Sequence, residues 1–253
     1  MTLDEREKKL ASEIGFPEEI LIRAKEVGAK ELRKLELAAL IPADIYHDGI
    51  PGTVRAIDRE GAREVGTTGL YLLVPTDTGV DVALRLRDSL SGTGYTAFLL
   101  AAGYNRVDRL TILRECASGI CDACEGLEIV GVLRTSDPYD LLRIRLTNAT
   151  NYDMGPKEII DKLKSWEELC SFDIIGAGFD WVHILFRDIP ADLVAFARDA
   201  YDFCPDTMDQ GYVGSELPPD ADRDDFDEAM DNQTLKDFAR WIEKNRMVCL
   251  WWD

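Results

Sequence analysis

The chain has 253 residues, 46% of them hydrophobic and 30% charged, which is enough to bury a sizeable core as one large domain or two small ones. Its formal net charge of −19 argues against binding to nucleic acid or an anionic membrane, since both need Lys and Arg to displace counterions, and it makes a basic protein the natural charged partner. No stretch approaches the ~20 apolar residues of a membrane span, and Met1-Thr2-Leu3-Asp4-Glu5-Arg6-Glu7 has neither a basic nor an apolar leader pattern, so a cytoplasmic location is expected.

Residues 1–42 read as a helical extension. Leu3, Leu10 and Ile14 share one face. After Gly15, a start at Pro17-Glu18-Glu19 leads into a second helix through Ile20, Leu21, Ala24, Leu32, Leu35 and Ala39, with Gly28 as its weak point. Pro42 and the run Asp48-Gly49-Ile50-Pro51-Gly52 mark a loop and a subdomain edge. Residues 43–136 then form an α+β subdomain. A strand is predicted over 70–74, a helix over 80–90, and strands over 95–101 and 109–113, giving a small β-α-β-β layer.

Residues 137–253 are again mixed, without an internal repeat. Pro156 opens an amphipathic helix through Ile159, Ile160, Leu163, Trp166 and Cys170. Two strands, 172–175 and 181–186, flank Gly176-Ala177-Gly178, whose glycines suit a hairpin turn. A helix from Pro190 places Leu193, Phe196, Ala200 and Phe203 inside. Another helix is outlined by Leu235, Phe238, Ala239 and Ile242, and 247–252 close as a strand on which Trp251 and Trp252 alternate, so that at least one of them is core. The fold class is α+β.

Within this part, residues 201–232 carry eleven carboxylates and a single base, Arg223, a local net charge of −10. The segment 220–231 begins like a calcium loop, with carboxylates at its first, third and fifth positions. It fails at the sixth, where Asp225 replaces the required Gly, and at the twelfth, where Asp231 replaces Glu.

The sequences Asp137-Pro138-Tyr139-Asp140, Thr147-Asn148, Asn151-Tyr152-Asp153, Leu163-Lys164-Ser165-Trp166, Gly176-Ala177-Gly178-Phe179-Asp180-Trp181, Phe203-Cys204-Pro205-Asp206, Asp209-Gln210-Gly211 and Trp251-Trp252-Asp253 resemble those of the bacterial domain of unknown function 4253 family over residues 137–253. The resemblance implies a small cytosolic bacterial protein with no enzymatic activity to carry over, of a kind often found beside polymorphic toxin genes. It also implies that Asp-Gln-Gly runs almost directly into the last helix. Here Tyr212–Asn232 intervene, an acidic insertion of the kind a partner-specific contact surface would need.

Other constellations are weaker. Cys116-x4-Cys121-x2-Cys124 is similar to the cluster loop of plant-type ferredoxins but lacks a fourth ligand at the usual distance, and neither His47 nor His183 has zinc spacing, so no metal or cofactor is expected. Cys204, followed by Asp206, Asp209 and Gln210, resembles a nucleophile with acid–base help. It sits in the most negative part of the chain, where a thiolate is disfavoured, and Cys204 reads instead as the end of a helix followed by a turn at Pro205-Asp206. The expected function is therefore binding: an immunity protein that neutralises a cognate basic toxin through Asp206, Asp209, Gln210, Tyr212, Glu216, Asp220, Asp222, Asp224, Asp225, Asp227 and Glu228. The alternatives are an enzyme using Cys204, Asp206 and His183, or a housekeeping scaffold.

Overall fold

The structure, a computed structural model, describes residues 1–41, 53–57, 63–75, 78–101, 127–208 and 223–252, with side chains over 1–36, 67–75, 78–100, 128–208 and 234–252. Its helices and two separate sheets make it an α+β protein, as predicted. The chain divides into two units, Met1–Leu146 with Ile175–Gly178, and Thr147–Ile174 with Phe179–Asp253.

In the first unit, helix α1 (Glu5–Ile14) is closed at its start by a capping box. Asp4 Oδ1 accepts from Glu7 N at 2.8 Å and Glu7 Oε2 accepts from Asp4 N at 2.8 Å, satisfying two donors that the helix cannot. It stops at Gly15, whose φ of 69° is the left-handed conformation that glycine adopts freely. Helix α2 (Glu18–Glu26) buries Ile20, Leu21 and Ala24.

The helix expected to continue through Leu32, Leu35 and Ala39 does not. Glu31–Ile41 is strand β1, so the helical reading of 1–42 is corrected from Glu31 onward. Spacings of three and four residues fit either element, but Gly28, at φ 103°, breaks the helix, and the following backbone finds its partners in a sheet. There β1 forms an antiparallel ladder with β3 (Arg63–Pro75), from Glu31 opposite Leu73 to Ile41 opposite Arg63.

Strand β2 (Thr53–Ile57) also pairs with β3, and the sheet runs β1-β3-β5-β4, with β4 at Thr96–Ala101 and β5 at Leu127–Leu133. Its pairings are all antiparallel. The strand expected over 109–113 lies outside the described residues, and β5, which was not anticipated, is the partner of both β3 and β4. Leu70, Leu72, Val74, Val130 and Val132 pack with α1, α2 and helix α3 (Gly79–Ser89). Their neighbours on the opposite face, Tyr71, Leu73, Phe98, Leu100, Ile129 and Leu133, are buried too. The buried Glu128 reaches from β5 to accept from Gly79 N at 2.5 Å, closing the start of α3. A Cβ at Gly79 would stand 2.5 Å from that same carboxylate oxygen. Helix α4 (Asp140–Arg145) packs on β1.

The second unit is built on an aromatic core. Helix α5 (Pro156–Glu167) has Pro at its first turn and buries Ile159, Ile160, Leu163 and Trp166. Cys170, expected on its inner face, follows the helix and is half-buried. A three-stranded sheet runs β6-β7-β8, from Phe172–Ala177, Trp181–Phe186 and Met247–Trp251. Strand β6 continues through Gly176 and Ala177, leaving 178–180 as the turn.

Helix α6 (Leu193–Phe203) starts at Leu193 rather than Pro190, because Asp192 caps it by accepting from Ala195 N at 2.9 Å. Leu193 and Phe203, expected inside, are half-buried. Trp166 meets Phe196 at 4.8 Å and Phe203 at 5.8 Å, while Phe196 meets Phe186 of β7 at 5.4 Å. Helix α7 (Arg223–Asn245) packs on α6 and buries Leu235, Phe238, Ala239 and Ile242 as predicted. It begins twelve residues before Leu235, so much of the acidic stretch read as an insertion is helical backbone. Among the described residues no helix is long and apolar enough to cross a membrane.

Candidate functional site

Five of the sequence motifs, scattered over a hundred residues, meet at one place through Asn148, Tyr152, Phe179-Asp180, Phe203 with Asp206, and Trp252. Asn148 N donates to Phe179 O at 2.8 Å. The next residue, Asp180, accepts at its carbonyl from Trp252 N at 2.9 Å. Trp252 in turn donates its Nε1 proton to Phe203 O at 3.3 Å and sets its indole edge-on to the Phe203 ring at 5.5 Å. Three residues after Phe203, Asp206 Oδ2 accepts from Tyr152 Oη at 3.1 Å. Tyr152 N donates to Ala149 O at 2.9 Å, which closes the circuit back to Asn148.

The Tyr152 arm is held rigidly. Ala149 and Met154 exchange backbone hydrogen bonds at 2.8 and 3.1 Å around a single 3-10 turn, Thr150–Tyr152, and Asp153 takes the left-handed conformation (φ 54°) that a short polar side chain tolerates.

Cys204 is the pivot of the other arm. Among the described residues strand β8 ends the sheet, and no described strand lies beside its outer backbone groups. The fully buried Cys204 thiol donates to Trp251 O at 3.0 Å and its sulfur accepts from Trp251 N at 3.2 Å. Thr207 Oγ1 lies 3.0 Å from Cys204 Sγ and 3.2 Å from Cys249 O, so its one proton is shared between them. Burial pushes the Cys204 thiol up to about 11, against the opposing pull of its hydrogen bonds to Thr207 and Trp251. It therefore stays protonated at neutral pH, which suits a structural donor and not a nucleophile. The turn expected at Pro205-Asp206 is present, with Thr207 N donating to Cys204 O at 3.2 Å and Met208 N to Pro205 O at 2.9 Å.

His183 stands on β7 directly opposite Cys249 and packs against Trp181 with ring centroids 4.5 Å apart and the rings tilted by 46°. Part of its surface stays accessible, yet the imidazole lies deep enough that burial lowers its pKa to about 4, and it is neutral at physiological pH. Trp181 Nε1 is buried and has no hydrogen-bond partner among the described residues.

Of the residues expected to contact a partner, Asp206 is partly exposed at this junction. Asp209, Gln210, Tyr212, Glu216, Asp220 and Asp222 lie outside the described residues, as do Cys116, Cys121 and Cys124. Asp224, Asp225, Asp227 and Glu228 sit on the first turns of α7. A continuous helix from Arg223 is incompatible with the later positions of a calcium loop over 220–231, which must wrap around the ion. Sequence reasoning passed over Tyr152 and Phe179, respectively 38% and 56% exposed. Both lie inside the motifs quoted for the family resemblance, and large rings left in water within such motifs were the signal available.

Residues 129–253 match the family model described as Domain of unknown function (DUF4253). The matched span takes in every segment of the circuit. It also includes β5 from Ile129 onward and α4, which lie in the first unit, so the DUF4253 match and the second unit do not coincide. No curated protein and no solved structure matches the chain. Asn148, Tyr152, Phe179, Asp180, Phe203, Asp206 and Trp252, all from motifs by which this sequence resembles DUF4253, thus join the end of α6, the β6–β7 turn and the end of β8.

Proposed function

We propose that this chain is an acidic binding protein of the immunity type, which neutralises a basic toxin protein by direct contact through Asp206 and the carboxylates that follow it. The observation that carries this reading is the charge of residues 201–232, eleven carboxylates against one base. Such a concentration raises the encounter rate with a positively charged partner and weakens that attraction steeply with salt. Support also comes from Cys204, the nucleophile that an enzymatic reading requires, since its thiol is buried, raised to about 11 and engaged with Trp251. If the toxin is a nuclease, the carboxylates stand in for nucleic-acid phosphates in its cleft.

The test uses the product of the neighbouring gene as partner. Glu216, Asp220, Asp222, Asp224, Asp225, Asp227, Glu228 and Asp231 are changed together to Gln or Asn. Association at low ionic strength is expected to slow by about 10-fold or more and its salt dependence to flatten, with folding stability nearly unchanged. A neutralised variant that associates as fast, and protects cells as well, refutes the reading and leaves the segment a solubilising one.

A further inference from the structure

We infer that His183 and Cys249 form a two-ligand site for a soft monovalent metal ion of the copper(I) or silver(I) class, on the face of β7 and β8 that carries Trp181 and Trp251. The site shares no residue with the carboxylates of the binding role proposed above and stands or falls separately from it.

The first observation is register. His183 lies directly opposite Cys249 in the antiparallel ladder of β7 and β8. Cys204 engages Trp251 N and Trp251 O on the outer side of β8, and Thr207 Oγ1 lies 3.2 Å from Cys249 O on that same side. Cys249 and His183 are therefore a non-hydrogen-bonded pair, with Cβ atoms about 4.5–5.5 Å apart on one face of the sheet. A metal bonded to one sulfur and one nitrogen, at about 2.3 and 2.1 Å, holds those two atoms within about 4.4 Å of each other. Side chains rooted this closely reach a single ion without moving the backbone.

Second, the two side chains are open to an ion. Both residues are partly exposed, and both stand on strands rather than on a loop, which fixes their separation. Among the described residues the His183 imidazole is held by its ring contact with Trp181 and by no side-chain hydrogen bond, so a nitrogen lone pair is available. On binding, the Cys249 S–H bond breaks, its proton passes to solvent and a sulfur–metal bond forms, with no change of oxidation state. Any hydrogen bond made by that proton is given up in the exchange, so the site does not require a thiol without a partner.

Third, the surroundings choose the ion. The same face carries Trp181, Leu185, Met247 and Trp251 beside the pair, and no carboxylate, so calcium and magnesium find no charged oxygen there. Among the described residues no three of His, Cys, Asp and Glu come together to hold a metal. Zinc, which takes three or four protein ligands, and iron–sulfur clusters, which take four, are therefore short of donors. A thiolate with an imidazole is a soft set, and a closed-shell monovalent ion is satisfied by two such donors in line.

The probe is silver(I) nitrate, titrated in chloride-free buffer into the isotope-labelled full chain with Cys116, Cys121, Cys124 and Cys170 changed to Ser, and followed by NMR. One equivalent is expected to bind, shifting the His183 ring nitrogens and the Cys249 Cβ together. Copper(I) affinity is then read by competition with bicinchoninate. His183→Gln should weaken it by about 10-fold or more, since loss of a ligand costs at least what loss of a supporting residue does. Cys249→Ser should abolish one-equivalent binding, and zinc should not replace copper(I).

The inference is overturned by any of three results: no joint shift at His183 and Cys249, unchanged affinity in His183→Gln, which would mean a lone thiolate, or zinc bound as tightly as copper(I). If the four-serine variant does not fold, the same two signals are read in the natural chain at excess silver, where each residue reports for itself. None of these outcomes bears on the association kinetics that test the proposed function.

Discussion

His183 shows how one side chain acquires chemistry from its position. Trp251 N and O both point to the outer side of β8, where Cys204 meets them, so residues 249 and 251 face β7 as non-hydrogen-bonded pairs, the closer of the two kinds. This sets the His183 ring against Cys249 as well as Trp181, in surroundings that keep it neutral down to about pH 4. In the unfolded chain a histidine protonates near 6.5. The unfolded state therefore binds the extra proton first, and stability is full above about pH 6.5 and declines as pH falls toward 4. Between pH 7 and 5 this loss should approach about 2 kcal/mol in urea melts, less whatever the accessible ring edge recovers from water. His183→Gln should flatten the slope over that interval. Equal slopes in the two proteins would mean that the folded chain accepts the proton as readily as the unfolded one.

At the scale of the element, the closing strand divides its two tryptophans as alternation requires. Trp252 is 3% exposed, set edge-on to Phe203 and bonded to it, while Trp251 is half-buried and contributes to the junction mainly through its backbone. Trp252→Ala should cost about 3–5 kcal/mol and Trp251→Ala clearly less, measured as the difference in urea unfolding free energy. Similar small losses for both would show that the strand is not docked.

This alternation was legible in the sequence because period two is a strong signal over five residues. So was α5, where Pro156 and four large apolar residues at helical spacing agree with each other. Strand β1 was not legible, since the spacing of Leu32, Leu35 and Ala39 satisfies a helix as well as a strand, and only the long ladder to β3 decides between them. Of the junction, Cys204 at a helix end and the turn after it could be read locally. The meeting of Asn148, Phe179, Asp206 and Trp252 could not, because their hydrogen bonds run mainly through backbone atoms that no residue type announces.

For the molecule as a whole, charge and architecture meet at the outer side of β8. A strand that ends a sheet is a template onto which another chain can add its own, the route by which β-proteins swap domains or grow fibrils. Here Cys204 and Thr207 engage Trp251 N, Trp251 O and Cys249 O, the donor and acceptors that an incoming strand would use. The net charge of −19 adds a long-range barrier to the same event. Replacing Cys204 by Ala and Thr207 by Val together should uncover the template while leaving that repulsion in place. The double variant should stay dispersed in dilute buffer and self-associate at ~1 M salt, where the screening length falls to about 3 Å, as read by light scattering and thioflavin fluorescence. A variant that remains monodisperse at high salt would place the guard elsewhere. If it polymerises, a pair of small side chains is what separates this fold from its own amyloid.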